Sequence, residues 1–101
     1  MIDVIASIRV KDGFRDDFIK KFKINLPAVL KEKGCIDYYP ATDVESGLST
    51  QKMDSTAVIV IEKWESIEAL EAHAQAPHMT SFRKTVEDII EDISLTVVAR
   101  I

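Results

Sequence analysis

The sequence predicts an α+β fold in which an antiparallel sheet carries helices, in the order β-α-β-β-α-β. Three observations indicate this order. Of four strand-like segments, the first and the last place apolar residues on one face with the two-residue period of a strand, and the third is apolar on both faces. Two segments between them repeat apolar residues at the three-to-four spacing of a helix. A polar stretch from Asp43 to Ser55 separates the second and third strand patterns, as a hairpin connection does.

The first strand is predicted over Met1 to Val10. Its apolar face comprises Ile2, Val4, Ala6, Ile8 and Val10. The helix that follows has an apolar stripe formed by Phe14, Phe18, Ile19, Phe22, Leu26, Val29 and Leu30. We expect Pro27 to kink or divide this helix. Gly34 is expected as a left-handed C-cap that leads into a second strand, Cys35 to Thr42.

The third strand, Thr56 to Trp64, is apolar on both faces. Ala57, Ile59 and Ile61 lie on one face, and Val58, Val60 and Trp64 on the other. Such a strand needs cover on both sides, and a single helical layer supplies only one. A second copy of the same sheet is the economical cover, so we expect a two-fold homodimer with a barrel-like core.

The second helical region is interrupted by a proline. Ser66 suits the N-cap of an Ala-rich helix from Ile67 to Ala76, and Pro77 suits the first turn of the next helix. The helical period continues through Met79, Phe82, Val86, Ile89, Ile90 and Ile93. A last strand is predicted with Ile93, Leu95, Val97, Ala99 and Ile101 on one face. This is the split βαβ, ferredoxin-like arrangement.

Composition limits the function classes. The chain has 101 residues, 47% of them hydrophobic, with 3 Gly and 3 Pro, so we expect one packed domain over residues 1–101. A net charge of −4 and scattered basic residues offer nucleic acid no footprint. No apolar run approaches the ~20 residues that span a membrane. The single Cys35, and a start without a targeting pattern, lead us to expect a cytoplasmic protein.

Several kinds of site are missing from the sequence. No Gly-rich phosphate loop is present, so no nucleotide cofactor is expected. No His/Cys cluster has metal spacing, and His73 and His78 lie roughly 140° apart on a continuous helix. Pro77 loosens that argument, yet a metal pair remains disfavoured. Cys35 is more typical of an inert buried thiol than of a nucleophile.

His73 is the best candidate for a general acid or base, because imidazole exchanges a proton near neutral pH. It lies among small Ala neighbours, although a surface or hydrogen-bonded core histidine fits the pattern too. His78, after a proline at a helix start, suits a capping role as well as a substrate contact. Trp64 suits the core or the wall of a flat aromatic ligand. Glu62 shares its strand face and would need a partner, such as Arg9 or a backbone amide.

Five segments resemble the antibiotic-biosynthesis monooxygenase domain. They are Ile8 to Phe14, Gly34 to Tyr38, Glu62 to Ser66, Glu68 to His73, and Pro77 to Phe82. The resemblance covers essentially the whole chain and implies a dimeric α+β barrel. Oxygenases of that family typically use no flavin or metal, since the deprotonated substrate itself passes an electron to oxygen. The family also includes haem-degrading enzymes and autoinducer-processing isomerases.

Departures from the family patterns narrow what the resemblance implies. Haem-degrading relatives carry asparagine, tryptophan and histidine where this chain has Ala6, His73 and Arg83. Polyketide-oxidising relatives carry an asparagine at the position of Val60. His73 instead matches a histidine of the quinol-type and autoinducer-processing branches.

The resemblance therefore implies a cofactor-independent monooxygenase acting on a small quinol or phenolic molecule. His73 would be the base and Trp64 the aromatic wall. Tyr38 and Tyr39 take opposite faces of the second strand, and Tyr38, His78 and Phe82 are expected to contact the substrate. Two alternatives stay open, namely an isomerase that transfers protons in the same pocket, and a dimer that binds a small ligand without transforming it.

Overall fold

The computed structural model describes residues 1–101, and its element order is β-α-β-β-α-α-β. The elements are β1 (Ile2–Val10), α1 (Arg15–Leu30), β2 (Cys35–Ala41), β3 (Ala57–Trp64), α2 (Ile67–Gln75), α3 (Pro77–Val86) and β4 (Ile90–Val98). The strands form one antiparallel sheet in the order β2-β3-β1-β4. The predicted α+β, ferredoxin-like fold is confirmed, with the second helical region divided into α2 and α3.

The core lies between the inner face of the sheet and the helices. Strand β3 alternates strictly, so that its inner-face residues Val58, Val60, Glu62 and Trp64 are buried and the residues between them are partly exposed. Helix α1 packs Phe18, Phe22 and Val29 onto this face. The alternation arises because successive strand side chains point to opposite faces.

Helix α1 runs unbroken through Pro27, so the expected division of the helix is wrong. Proline removes one backbone hydrogen bond, but the apolar side chains that α1 buries on the sheet favour the continuous helix. The helix ends at Leu30 with Lys31 in the C-cap position. Gly34 adopts the predicted left-handed conformation, φ +84°, although it lies in the turn beyond the cap.

The substitution Gly34→Ala should destabilise the fold strongly. A Cβ atom at this position would lie 2.6 Å from the Cβ of Ala69 on α2, and the backbone φ already disfavours any L side chain. We expect a loss of about 2–4 kcal/mol in the free energy of unfolding, from strain and overpacking together. Urea denaturation measures it. Gly13→Ala is the matched control, because Gly13 has φ +83° with nothing within 4 Å of the added Cβ, and it should lose less.

The second helical region follows the predicted capping but ends earlier. Ser66 accepts a hydrogen bond from the backbone N–H of Ala69 at 3.1 Å, which confirms it as the N-cap of α2. Pro77 begins α3. The periodicity predicted that Ile89 and Ile90 continue this helix, and that prediction is wrong. Helix α3 ends at Val86 and β4 begins at Ile90.

Apolar side chains remain uncovered on both faces of the sheet. On the inner face, Ile93, Leu95 and Val97 of β4 pair in register with Ile8, Ala6 and Val4, but they lie beyond the helices and are 45–61% exposed. On the outer face, Ile5 and Tyr39 are each 44% exposed. The structure therefore contains the uncovered apolar surface that the pattern of β3 predicts. None of the three helices combines the length and the apolar character that a membrane-spanning helix requires.

Candidate functional site

A cavity of about 200 Å³ lies between the inner face of the sheet and the three helices. Most of its lining is apolar, from β1, α1, α3 and β4. Four lining side chains bear polar groups, namely Tyr38, Glu62, His73 and Arg83. An apolar cavity with a few convergent polar groups is the usual form of a small-molecule site.

His73 is held in this cavity by a carboxylate. Its side chain is buried, and its Nδ1 atom lies 2.8 Å from Oε2 of Glu32, in the turn that follows α1. A carboxylate only accepts, so Nδ1 carries a proton, and in the neutral ring Nε2 then keeps its lone pair. Burial lowers the pKa of His73, while the hydrogen bond to Glu32 opposes that shift. The ring is therefore suited to accept a proton at Nε2.

The same carboxylate oxygen also contacts His78. Nε2 of His78 lies 3.1 Å from Oε2 of Glu32, and its Nδ1 lies 3.2 Å from Oδ1 of Asn25. The two histidines converge because the chain turns at Pro77. The angle of roughly 140° between them applies only to one continuous helix, which this region does not form. His78 does not line the cavity. It lines a separate outer cleft of about 350 Å³ together with Lys21, Asn25 and Phe82.

An aromatic cluster surrounds His73. Tyr38 stacks on Phe22 with ring centroids 5.6 Å apart and meets the His73 ring edge-on at 5.3 Å. Tyr38 is buried and Tyr39 exposed, as their alternation predicts. Phe82 lines both the cavity and the outer cleft. Tyr38 and Phe82 are thus placed where a ligand in the cavity would touch them.

Trp64 lies behind His73 and not on the cavity surface. Its ring centroid is 4.7 Å from that of His73, but the side chain is fully buried and does not line the cavity. Its indole Nε1 donates a hydrogen bond of 2.9 Å to Oε1 of Glu62. The partner of Glu62 is therefore Trp64, and neither Arg9 nor a backbone amide.

Burial favours the neutral form of three further groups near the site. It raises the pKa of Tyr38, and the Glu62 and Glu32 carboxylates raise it further. It also raises the pKa of Glu62 against the opposing hydrogen bond from Trp64. Burial raises the pKa of the Cys35 thiol, and the negative charge of Glu32 raises it further. The thiol is therefore a poor nucleophile.

Two side chains of the site were missed or given no positive role by sequence reasoning. Glu32 lies between Lys31 and Lys33, a pattern typical of a solvated surface. Arg83 entered only as a departure from the haem-degrading pattern, yet it lines the cavity, where its Nη2 donates to the carbonyl oxygen of Ala74 at 2.7 Å. The two histidines near the helix break indicate that hydrogen-bond partners are needed, but nothing in the sequence identifies Glu32 as that partner.

No group of three or more His, Cys, Asp or Glu side chains is arranged to hold a metal ion. Glu32, His73 and His78 are instead joined to one another through hydrogen bonds that meet at a single carboxylate oxygen.

Comparisons with known proteins agree with this architecture. The family model described as antibiotic biosynthesis monooxygenase matches residues 1–85. The Escherichia coli K12 protein named "Probable quinol monooxygenase YgiN" is 43% identical over 94 residues, which cover 90% of each chain. Among solved structures, PA3566 from Pseudomonas aeruginosa superposes with a TM-score of 0.82 at 22% identity, over 99% of this chain and 93% of that one.

Rv0793 from Mycobacterium tuberculosis has a TM-score of 0.80 at 21% identity, over 99% of this chain and 94% of that one. At such identities the solved structures support the fold alone. The match to the family model and the 43% identity to the Escherichia coli protein over 90% of each chain also show the family. The chain belongs to the antibiotic biosynthesis monooxygenase family.

Proposed function

We propose that this protein is a monooxygenase that oxidises a small quinol or phenolic compound with O₂, without a bound cofactor, and that His73 is its general base. One observation carries the proposal. An imidazole whose Nδ1 is held by a partly buried carboxylate lines an apolar cavity, and no protein group bonds its Nε2. The name of the Escherichia coli relative supports the same reaction class.

The reaction begins with proton removal. Nε2 of His73 takes a hydroxyl proton from the quinol, and the resulting phenolate is electron-rich enough to reduce O₂. One oxygen atom enters the ring and the other leaves as water, so that a quinol and O₂ give a hydroxyquinone and H₂O. All four electrons come from the quinol. Arg83 provides a positive charge at the cavity, where it stabilises the phenolate.

The cavity favours a small, flat substrate. A void of about 150 Å³ lined by apolar side chains suffices for benzene. The volume here, about 200 Å³, suits one substituted ring better than a fused polycyclic system. Tyr38 and Phe82 contact the ring in this proposal. Trp64 supports His73 from behind, and His78 acts outside the cavity.

We also propose that two copies associate through their sheets. On the outer face the uncovered apolar side chains include Ile5 and Tyr39, and Leu95 is exposed on the inner side of the edge strand β4. The protein is plate-shaped, with extents of 36 × 36 × 19 Å. Its broad face is large enough to supply the roughly 800 Å² per partner that a stable interface uses. Sedimentation velocity tests this, and a monomer at micromolar concentration contradicts it.

Oxygen dependence tests the proposed reaction. With a single-ring quinol and the protein dialysed against a chelator, we expect O₂ uptake and a product that gains one ¹⁸O atom from ¹⁸O₂ by mass spectrometry. Under nitrogen no product should form. Conversion that continues under nitrogen would indicate the isomerase alternative. Ligand binding with no conversion in either atmosphere would indicate a non-catalytic protein.

A further inference from the structure

The negative charge of Glu32 lies between two histidines. Its Oε2 atom is 2.8 Å from Nδ1 of His73 and 3.1 Å from Nε2 of His78. Either imidazole could carry the balancing positive charge. A His73 imidazolium, however, has no lone pair at Nε2 with which to take a proton from a ligand.

The hydrogen-bond partners of His78 are both oxygen acceptors. Both of its ring nitrogens face oxygen atoms, Oε2 of Glu32 and Oδ1 of Asn25. The amide nitrogen of Asn25 is directed to Sδ of Met79 at 3.4 Å, which leaves the amide oxygen toward His78. A neutral imidazole has one N–H and can satisfy one of the two acceptors. The imidazolium satisfies both.

Solvent exposure points the same way. The His78 side chain is 28% exposed and lines the outer cleft, whereas the His73 side chain is 7% exposed. A positive charge costs less free energy where water reaches it. The outer histidine is therefore the less costly place for the charge that balances Glu32.

We propose that His78 is a positioning residue that, as an imidazolium, neutralises Glu32 and so leaves His73 as the neutral base of the cavity. The role of His73 as a base rests on the proposed function, but the charge assignment does not. In this arrangement His78 never touches the substrate. It acts through the Glu32 carboxylate, which it holds in place for the Nδ1–H of His73.

The groups that face His73 define the expected response. They are Glu32 after α1, Tyr38 on β2, Glu62 on β3, and His78 and Arg83 on α3. Burial lowers the pKa of His73, Glu32 opposes this, and the positive charges of His78 and Arg83 lower it further. Loss of the His78 charge should therefore raise the pKa of His73.

The experiment is an NMR titration of ¹⁵N-labelled protein that follows the ring nitrogens of both histidines. In the wild type we expect His78 to show two protonated nitrogens while His73 is neutral. His78→Gln keeps an N–H donor for Glu32 but removes the charge, and should raise the titration midpoint of His73 by about one pH unit. His78→Lys restores a charge and should return the midpoint toward that of the wild type. In turnover, the acid limb of kcat/KM should move with it.

An unchanged or lower His73 midpoint in His78→Gln overturns the proposal. So does a wild-type titration in which His78 is neutral at every pH at which His73 is neutral. If neither variant folds, the wild-type ring-nitrogen shifts decide alone. The titration needs no turnover, so a protein that consumes no oxygen would contradict the proposed function while leaving this result intact.

Discussion

Replacement of His73 by alanine should reduce kcat/KM for oxygen consumption with a quinol by about 10²- to 10⁴-fold, the usual contribution of a general base. The loss arises because no other neutral nitrogen base lines the cavity. In the wild type, the acid limb of the rate profile should lie below the ordinary pKa of histidine, because burial lowers the pKa of His73. Oxygen-electrode assays across pH measure both effects.

The matched control for His73→Ala is Glu71→Gln. Glu71 lies on the same helix, α2, and its side chain is exposed to solvent. This variant should retain the wild-type rate. Circular dichroism should show that both variants stay folded, since Glu32 keeps its hydrogen bond to His78 when His73 is lost. A His73→Ala protein that keeps the full rate would remove His73 from the mechanism.

Replacement of Trp64 by alanine should produce the largest loss of stability in the chain. Trp64 is fully buried, and loss of such a ring typically costs about 3–5 kcal/mol. Loss of the indole N–H also leaves the buried Glu62 carboxyl without its donor, at a further cost of about 1–3 kcal/mol. A domain of this size has roughly 5–15 kcal/mol in total, so this variant should be largely unfolded at 37 °C.

Trp64→Phe separates the two contributions, because phenylalanine keeps most of the ring but has no N–H. We expect an intermediate loss of stability. Adding Glu62→Leu should recover part of it, since no unpaired carboxyl then remains buried. Urea denaturation of the wild type, the Trp64→Phe and Glu62→Leu single variants and the double variant forms a double-mutant cycle. If Trp64→Phe instead raises KM at unchanged stability, Trp64 contacts the substrate after all.

The strands were predictable because burial on one or two faces leaves a direct trace in the sequence. The helix boundaries were less so. Val86, Ile89, Ile90 and Ile93 fit the helical spacing even though the last two of them lie in β4. No glycine or proline follows Val86 to mark the end of α3. At Pro27 the sequence predicted a break that the helix does not have, because packing of α1 on the sheet outweighs one lost hydrogen bond.

The site was predictable only in part. His73, Tyr38 and Phe82 were found from the sequence, and the structure places all three on the cavity. Glu32 could not be found, because it lies 41 positions from His73 and its neighbours are lysines. Contacts between residues so far apart depend on tertiary packing, and their identity leaves no periodic pattern in the chain.

The position of β4 links the cavity to the solution around it. Ile90, Ile93 and Leu95 of this edge strand line the cavity, yet the two that point beyond the helices are more than half exposed. Any protein molecule that packs on the exposed side of β4 therefore also closes one wall of the cavity. If that molecule is a second copy, closure obeys mass action. Turnover per molecule should then fall on dilution below the dissociation constant, so that the rate constant becomes a measure of self-association.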